Sequence, residues 1–158
     1  KKAIIEKGED VTILDLNELQ LPRFEERMGH VDEEPENWKP TMDLLKASEG
    51  LIFLTPEYNG GISSGIKNFI DVFAKDPFQG KPIGVATGSA GAMAGIRAAY
   101  MLQQIILSIF AYPMPQMLTV GKMEDTLGAD GSIKDPAFEK KLEKYVTTYL
   151  EFASRFSK

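Results

Sequence analysis

The sequence predicts an α/β protein built on an open parallel sheet with helices on both faces. Short runs of apolar and β-branched residues alternate along the 158 residues with longer segments of helical periodicity. The run Leu51–Leu54 is apolar without interruption, which is typical of a parallel strand covered on both faces. No repeat, low-complexity tract or linker divides the chain, so we expect one domain over residues 1–158.

Four segments have the composition of β-strands. They are Val11–Leu16, Leu51–Leu54, Pro82–Thr87 and Met117–Val120. Each is rich in β-branched or large apolar residues and is followed by a glycine, a proline or a polar stretch. That combination is the usual signature of a short strand and its end.

The segments between these strands carry helical periodicity or helix-ending signals. The expected helices are Ala3–Gly8 (a last helical turn), Thr41–Ser48, Ser63–Lys75, Gly95–Ala111 and Pro136–Phe156. In Ser63–Lys75 and in Pro136–Phe156 the apolar residues recur three and four positions apart, so one face of each helix belongs to the core. The polar stretches Asn17–Pro40 and Asp125–Ser132 are expected to be surface loops.

The helix Gly95–Ala111 differs from the others because apolar residues surround it on all sides. A helix of this kind is buried on more than one side. In a small domain the pattern favours a contact with a second subunit. The alternative is a wide apolar stripe that packs on the sheet alone.

Composition excludes several classes of function. The formal net charge is −5, whereas binding to nucleic acid needs a basic face. No cysteine is present, which excludes disulfides, thiolate nucleophiles and cysteine-bound metals and fits a cytoplasmic protein. No apolar run approaches the roughly 18 residues that a membrane-spanning helix needs. We therefore expect neither nucleic acid nor a membrane as partner.

Two loops rich in small residues follow neighbouring predicted strands. They are Thr55–Ser64, which contains Pro-Glu-Tyr-Asn-Gly-Gly, and Thr87–Gly95, which reads TGSAGAMAG. In open parallel sheets, ligands bind beyond the carboxyl ends of the strands. Each loop also opens a helix, so backbone N–H groups and positive helix ends are expected near one point. A planar, hydrogen-bonding ligand would suit this place; the alternative is that Asn-Gly-Gly only turns the chain.

The sequence offers no catalytic side chain and no metal site. His30 is the single histidine and lies in a polar stretch, where exposure to solvent is the simpler interpretation. The acidic run Asp32–Glu36 lacks the spacing of a calcium loop. Ser63, Ser64 and Ser89 have no evident base as partner. If the protein is an enzyme, a cofactor is expected to supply the chemistry.

The segment TPEYNGGISSGIKNFIDVF, Thr55–Phe73, resembles the signature of the NADPH-dependent FMN reductase family of flavodoxin-like proteins. The stretches DLNELQLPRFEE, SAGAMAGIRAAYMLQQIIL and DGSIKDPAFEKKLEKYV are also similar to that family, so the resemblance covers nearly the whole chain. Gly61 stands where serine is usual in the family, and Ser64 where proline is common. Neither change prevents the backbone from binding a flavin.

The resemblance implies a flavodoxin-like sheet with the strand order 2-1-3-4-5 and FMN at the strand ends. It implies that two loops hold the flavin, largely through backbone groups. The residues that match the family's flavin loops are Pro56, Glu57, Tyr58, Asn59, Gly60, Ser89 and Gly91. It also implies a homodimer or homotetramer with the flavin close to the subunit contact.

The activity implied is that of an FMN-dependent NAD(P)H oxidoreductase. A hydride would pass from NADPH or NADH to bound flavin and on to a small-molecule electron acceptor, namely a quinone, azo compound, metal ion or free flavin. Two alternatives remain open: a flavin-binding electron carrier or sensor, and a truncated, cofactor-free remnant that forms oligomers. The sequence does not identify the acceptor or decide between NADH and NADPH.

One part of the family pattern has no counterpart in the sequence. Family members begin with a strand and a loop like GSxRxxS that binds the FMN phosphate, whereas this sequence starts with KKAIIEKGED. That first strand lies in the middle of the sheet. We therefore expect the domain to lack its N-terminal strand and phosphate loop unless further sequence precedes Lys1 or another segment takes their place.

Overall fold

A computed structural model describes residues 1–25 and 37–156, and His30 and the acidic run Asp32–Glu36 lie outside them. In chain order the elements are α1 (Lys2–Ile5), α2 (Trp38–Ala47), β1 (Leu51–Tyr58), β2 (Gly61–Ile62), α3 (Ser64–Phe73), β3 (Pro82–Gly88), α4 (Ile96–Ser108), β4 (Tyr112–Val120), α5 (Met123–Thr126) and α6 (Pro136–Ala153). The predicted α/β class is confirmed. No helix in the described ranges is long and apolar enough to cross a bilayer.

The sheet has the order β2-β1-β3-β4. Its three longer strands run parallel, with Leu51 opposite Ile83 and Ile83 opposite Pro113. The two-residue β2 runs antiparallel to the end of β1. The neighbours β1, β3 and β4 agree with the last three positions of the predicted order 2-1-3-4-5, and the first two positions stay a prediction.

The predicted strand Val11–Leu16 is wrong, because these residues form no strand. A strand needs a neighbour with which to exchange ladder hydrogen bonds, and no strand of the described residues pairs with this segment. Leu14 and Leu16 still pack against the apolar core, whereas Ile13 is exposed. Composition alone therefore identified a partly buried segment but not its lack of a pairing partner.

Other boundaries differ for reasons connected with proline. Helix α2 begins at Trp38, before the predicted start, and Pro40 lies in its first turn, where a missing N–H costs no intrahelical bond. Strand β4 begins at Tyr112 and runs through Pro113 and Pro115. Because β4 is an edge strand, one side of its backbone needs no partner, and proline is tolerated there. The helical turn α5 (Met123–Thr126) includes the first two residues of the predicted loop Asp125–Ser132.

The core lies in two layers, one on each face of the sheet. One layer joins α2, α3 and α4 to alternate residues of β3, including Ile83 and Val85. The other joins α6 and α1 to the opposite face through Ala86, Tyr145 and neighbouring apolar residues. The prediction of helices on both faces is confirmed. The apolar face of the C-terminal helix α6 packs in this second layer, as the spacing of its apolar residues predicts.

Gly84 in β3 is required by the close approach of α6. A Cβ atom at this position would lie 2.5 Å from the Tyr145 hydroxyl oxygen and 2.9 Å from Cδ2 of Tyr149. Real Cβ atoms do not approach other atoms so closely, so any larger residue would push α6 away from the sheet.

We predict that Gly84→Ala destabilises the protein by ~1–3 kcal/mol, because it overpacks a filled core. The measurement is urea unfolding followed by circular dichroism. Gly65→Ala in α3 is the matched control, since its Cβ would lie 3.9 Å from the nearest atom, the Ser63 hydroxyl oxygen. The control should be neutral or stabilising by up to ~1 kcal/mol. A Gly84→Ala variant as stable as the wild type would contradict this account of the packing.

Candidate functional site

The two predicted loops leave neighbouring strands at the same edge of the sheet. Thr55 lies opposite Thr87 and Pro56 opposite Gly88 in the parallel ladder between β1 and β3. Paired strands are about 4.8 Å apart, so the loops that continue from these residues start side by side. The structure thus brings the first loop, with Pro56 to Gly60, next to the second loop, with Ser89 and Gly91.

The first loop is a β-hairpin. Strand β1 does not end at Leu54 as predicted but continues through Pro56 and Glu57 to Tyr58. Asn59 (φ 50°) and Gly60 (φ 81°) then make a two-residue turn, and Gly61 pairs back with Tyr58. Two positive φ values in a two-residue connection identify a type I′ turn, for which Asn-Gly is the preferred sequence. The Asn-Gly pair therefore does turn the chain, and it presents the exposed Tyr58 ring beside the turn.

The Glu57 side chain faces helix α4. Its Oε1 accepts a hydrogen bond from Nε of Arg97 at 2.9 Å and its Oε2 accepts from the Arg97 backbone N–H at 3.2 Å. The Glu57 side chain is only 5% exposed, whereas that of Arg97 is 60% exposed. The hydrogen bond from the Arg97 side chain, aided by the Ala98 backbone N–H, holds the pKa of Glu57 below its ordinary value of 4.5. Glu57 is therefore an ionised, fully engaged acceptor.

The second loop presents backbone donors. Ser89 uses its own N–H to bond the Val120 carbonyl at 2.9 Å, and its hydroxyl donates to the Gly91 carbonyl at 3.2 Å. Within the described part of the chain, the N–H groups of residues 90–93 donate no hydrogen bond. Residues 90–93 are exposed, so these N–H groups are open to a ligand.

The two helix N-termini that follow the loops are already capped by the chain. At α3 the Ser63 hydroxyl oxygen accepts from the Ile66 N–H. At α4 the carboxylate of Glu57 accepts from the Arg97 N–H. A serine and a glutamate of the same chain thus engage one N–H group at each helix N-terminus, and a ligand contact at these helix ends stays a prediction. The free donors are those of the second loop.

Arg97 is a residue of the candidate site that sequence reasoning did not identify. In the sequence it lies within SAGAMAGIRAAYMLQQIIL, a stretch similar to the family, with no role assigned to it. Its partner Glu57 lies 40 positions earlier, and no local pattern connects two residues at that separation. The family resemblance was the sole signal that pointed to this position.

A cavity of about 520 Å³ lies on the other side of the second loop, between β4 and the start of α6. Ala92 and Ala94 line it, but none of the predicted site residues does. Several of its polar groups are bonded within the chain. The Lys141 ammonium donates to the Thr119 carbonyl, and the Asp135 carboxylate accepts from the Ala137 N–H. These bonded groups stabilise the start of α6 and do not point to a ligand.

Comparison with known proteins identifies a family. Residues 1–125 match the family described as NADPH-dependent FMN reductase. A quinone reductase from Pseudomonas putida is 32% identical over 102 residues, which cover 61% of this chain and 54% of that protein. An FMN-dependent NADPH-azoreductase from Staphylococcus aureus is 26% identical over 149 residues, which cover 92% of this chain and 79% of that protein. The chain thus spans about half the length of the first relative and most of the second.

Among solved structures, the flavoenzyme FerB from Paracoccus denitrificans, an NAD(P)H:(acceptor) oxidoreductase, superposes with a TM-score of 0.80. It is 23% identical, and the match covers 98% of this chain and 87% of FerB. At this identity the likeness establishes the fold alone, which confirms the flavodoxin-like architecture. The family inferred from the sequence is confirmed by the family match.

Proposed function

The chain belongs to the NADPH-dependent FMN reductase family, and we propose that it couples the oxidation of NAD(P)H to the reduction of a small-molecule acceptor. The observation that carries this proposal is the juxtaposition of the hairpin and the second loop at one edge of the sheet, where the N–H groups of residues 90–93 have no partner among residues 1–25 and 37–156. Relatives named quinone reductase and NADPH-azoreductase support quinones and azo compounds as acceptors.

The residues present fit the ring of FMN. A flavin ring is flat and carries acceptor atoms along its edge, which match open backbone N–H groups. Glycines at 60 and 91 leave the backbone accessible, and the exposed Tyr58 ring offers an aromatic face. We infer that the ring is held by two groups of residues: Pro56, Glu57, Tyr58, Asn59 and Gly60 in the hairpin, and Ser89 and Gly91 in the second loop.

The chain's own contribution is binding and orientation. When bound, FMN supplies the hydride chemistry that no side chain of the site provides. Glu57 is held ionised by Arg97, so it is not available as a proton donor. The hairpin and the second loop fix the ring, and the exposed surface beside Tyr58 leaves room for nicotinamide and acceptor to bind in turn.

We also infer a homodimer or homotetramer that uses helix α4. Ala98, Ala99, Leu102 and Ile106 of this helix are buried against the sheet. On its other side Tyr100, Met101 and Leu107 are exposed, and a cluster of large apolar side chains on one surface is typical of a protein interface. The apolar residues on all sides of α4 are accounted for when one side packs on the sheet and the other side packs on a second subunit.

A reductase that consumes NAD(P)H needs access to the nicotinamide pool inside the cell, which supports the predicted cytoplasmic location. Cell fractionation with an antibody against the protein is the direct check. Detection of the protein in the membrane or secreted fraction alone would contradict it.

We predict that the purified protein binds FMN, turns yellow, and loses its absorbance near 450 nm when NADPH is added without oxygen. Absorbance should return when a quinone or an azo dye is added. Free FMN with NADPH at the same concentrations is the control for uncatalysed reduction. A yellow protein that NADPH does not bleach would be an electron carrier or sensor, and a protein that binds no FMN would contradict the proposal altogether.

We predict that Leu107→Glu dissociates the oligomer, because it places a charge in an apolar contact. Light scattering coupled to size exclusion should show a monomer. Ile5→Glu on α1 is the matched control, since Ile5 is 50% exposed and Leu107 is 62% exposed, but Ile5 lies on a different helix. A wild-type monomer, or an unchanged mass for Leu107→Glu, would rule out α4 as the interface.

A further inference from the structure

We propose that Glu57 and Arg97 are positioning residues whose ion pair fixes the hairpin against the first turn of α4 and thereby sets the geometry of the flavin site. The inference rests on the proposed function and deepens it, since it assigns the Glu57 side chain to the protein instead of to the cofactor. It is built from three sets of contacts around the start of α4.

First, helix α4 has no cap of its own. Its N-cap residue is Gly95, which has a left-handed backbone (φ 77°) and no side chain to accept a hydrogen bond. The N–H groups at the start of a helix need an acceptor and favour a negative charge. The carboxylate of Glu57 supplies both, because it accepts from the Arg97 N–H and faces the Ala98 N–H. A residue of the hairpin thus performs the capping function for a helix about 40 positions later.

Second, the Arg97 side chain lies along the hairpin. Its Nε and Nη2 both donate to Oε1 of Glu57. A Cβ atom on Gly60 would lie 3.7 Å from the guanidinium carbon of Arg97, so the turn rests on the guanidinium plane. One helical turn further, Cε of Met101 would lie 3.3 Å from a Cβ on Gly61. Gly60 and Gly61 of the hairpin therefore both lie against side chains of α4.

Third, the second loop ends at the same turn of α4. The Thr87 hydroxyl donates to the Gly95 carbonyl at 3.0 Å, and a Cβ on Gly95 would lie 2.9 Å from that hydroxyl. The second loop cannot move away from α4 without breaking this contact. Both sides of the flavin site are thus fixed to one helix turn, and the ion pair is the polar link on the hairpin side.

Burial separates this pair from the ion pairs elsewhere on the surface. The carboxylate side chain of Asp71, which pairs with Lys67 on α3, is 31% exposed, compared with 5% for Glu57. Exposed ion pairs such as Lys67–Asp71 contribute little to stability, whereas a charge that is shielded from water depends on its partners for stabilisation. Loss of the Glu57 charge should therefore loosen the hairpin, while loss of the Asp71 charge should not.

The test measures the dissociation constants of FMN and riboflavin for the wild type, Glu57→Gln, Arg97→Lys, Arg97→Met and the double variant Glu57→Gln/Arg97→Met. We expect Glu57→Gln to bind FMN about tenfold more weakly. The apparent affinity is proportional to the fraction of molecules whose site is already ordered, and loss of the Glu57 charge lowers that fraction. Riboflavin, which lacks the phosphate, should weaken by the same factor. Arg97→Lys should retain part of the affinity that Arg97→Met loses, and the double variant should bind no more weakly than Glu57→Gln alone.

Asp71→Asn is the matched control and should bind both flavins as the wild type does. Circular dichroism and thermal unfolding of the flavin-free variants show that binding is measured on folded protein. Should Glu57→Gln not fold, Arg97→Met carries the same test, because its change lies on the exposed partner.

The outcomes separate this inference from the proposed function. A wild type that binds neither flavin would overturn the proposed function. A wild type that binds FMN, with unchanged affinity in both Glu57→Gln and Arg97→Met, would overturn only the positioning role. If the Arg97 variants bind FMN more weakly but bind riboflavin as the wild type does, Arg97 contacts the phosphate. That result would also overturn the positioning role.

Discussion

The parallel ladder between β1 and β3 determines where every part of the candidate site lies. Its last in-register pairs, Thr55 with Thr87 and Pro56 with Gly88, place the starts of the two loops side by side. Because side chains alternate across a sheet, a slip of one residue in either strand would turn its threonine to the opposite face and separate the two loop starts. The register is therefore the constraint on which the site depends, and the two apolar core layers stabilise it.

The hydroxyl groups of Thr55 and Thr87 fix the ends of the two loops. Both are almost fully buried, and each hydroxyl bonds to the start of the helix that follows its strand. The Thr55 hydroxyl oxygen accepts from the Ser63 N–H at 3.2 Å, and the Thr87 hydroxyl donates to the Gly95 carbonyl at 3.0 Å. Buried hydroxyls need such partners, so the same bonds that satisfy them hold each loop closed at its base. The ends of the hairpin and of the second loop are thus each fixed by a buried hydroxyl.

Local pattern was enough for some features of the fold and not for others. The apolar strands and the apolar stripes of the helices follow from composition and spacing. The strand predicted at Val11–Leu16 is wrong because a strand also needs a neighbour with which to pair. The sequence predicts that β1 ends at Leu54 because proline usually ends a strand, whereas Asn59–Gly60 is a hairpin signal that agrees with the longer β1. The pairing of Glu57 with Arg97 is a tertiary contact, which no single-sequence rule predicts.

Hydrogen exchange with and without FMN tests most directly whether backbone groups of the two loops hold the cofactor. Exchange measured by NMR at single-residue resolution should slow on addition of FMN at residues 90–93, whose N–H groups are open in the described structure, and at residues 57–61 of the hairpin. Residues 119–126, which border the cavity beside α6, should be unaffected. Protection confined to residues 119–126, with none in the two loops, would contradict the account.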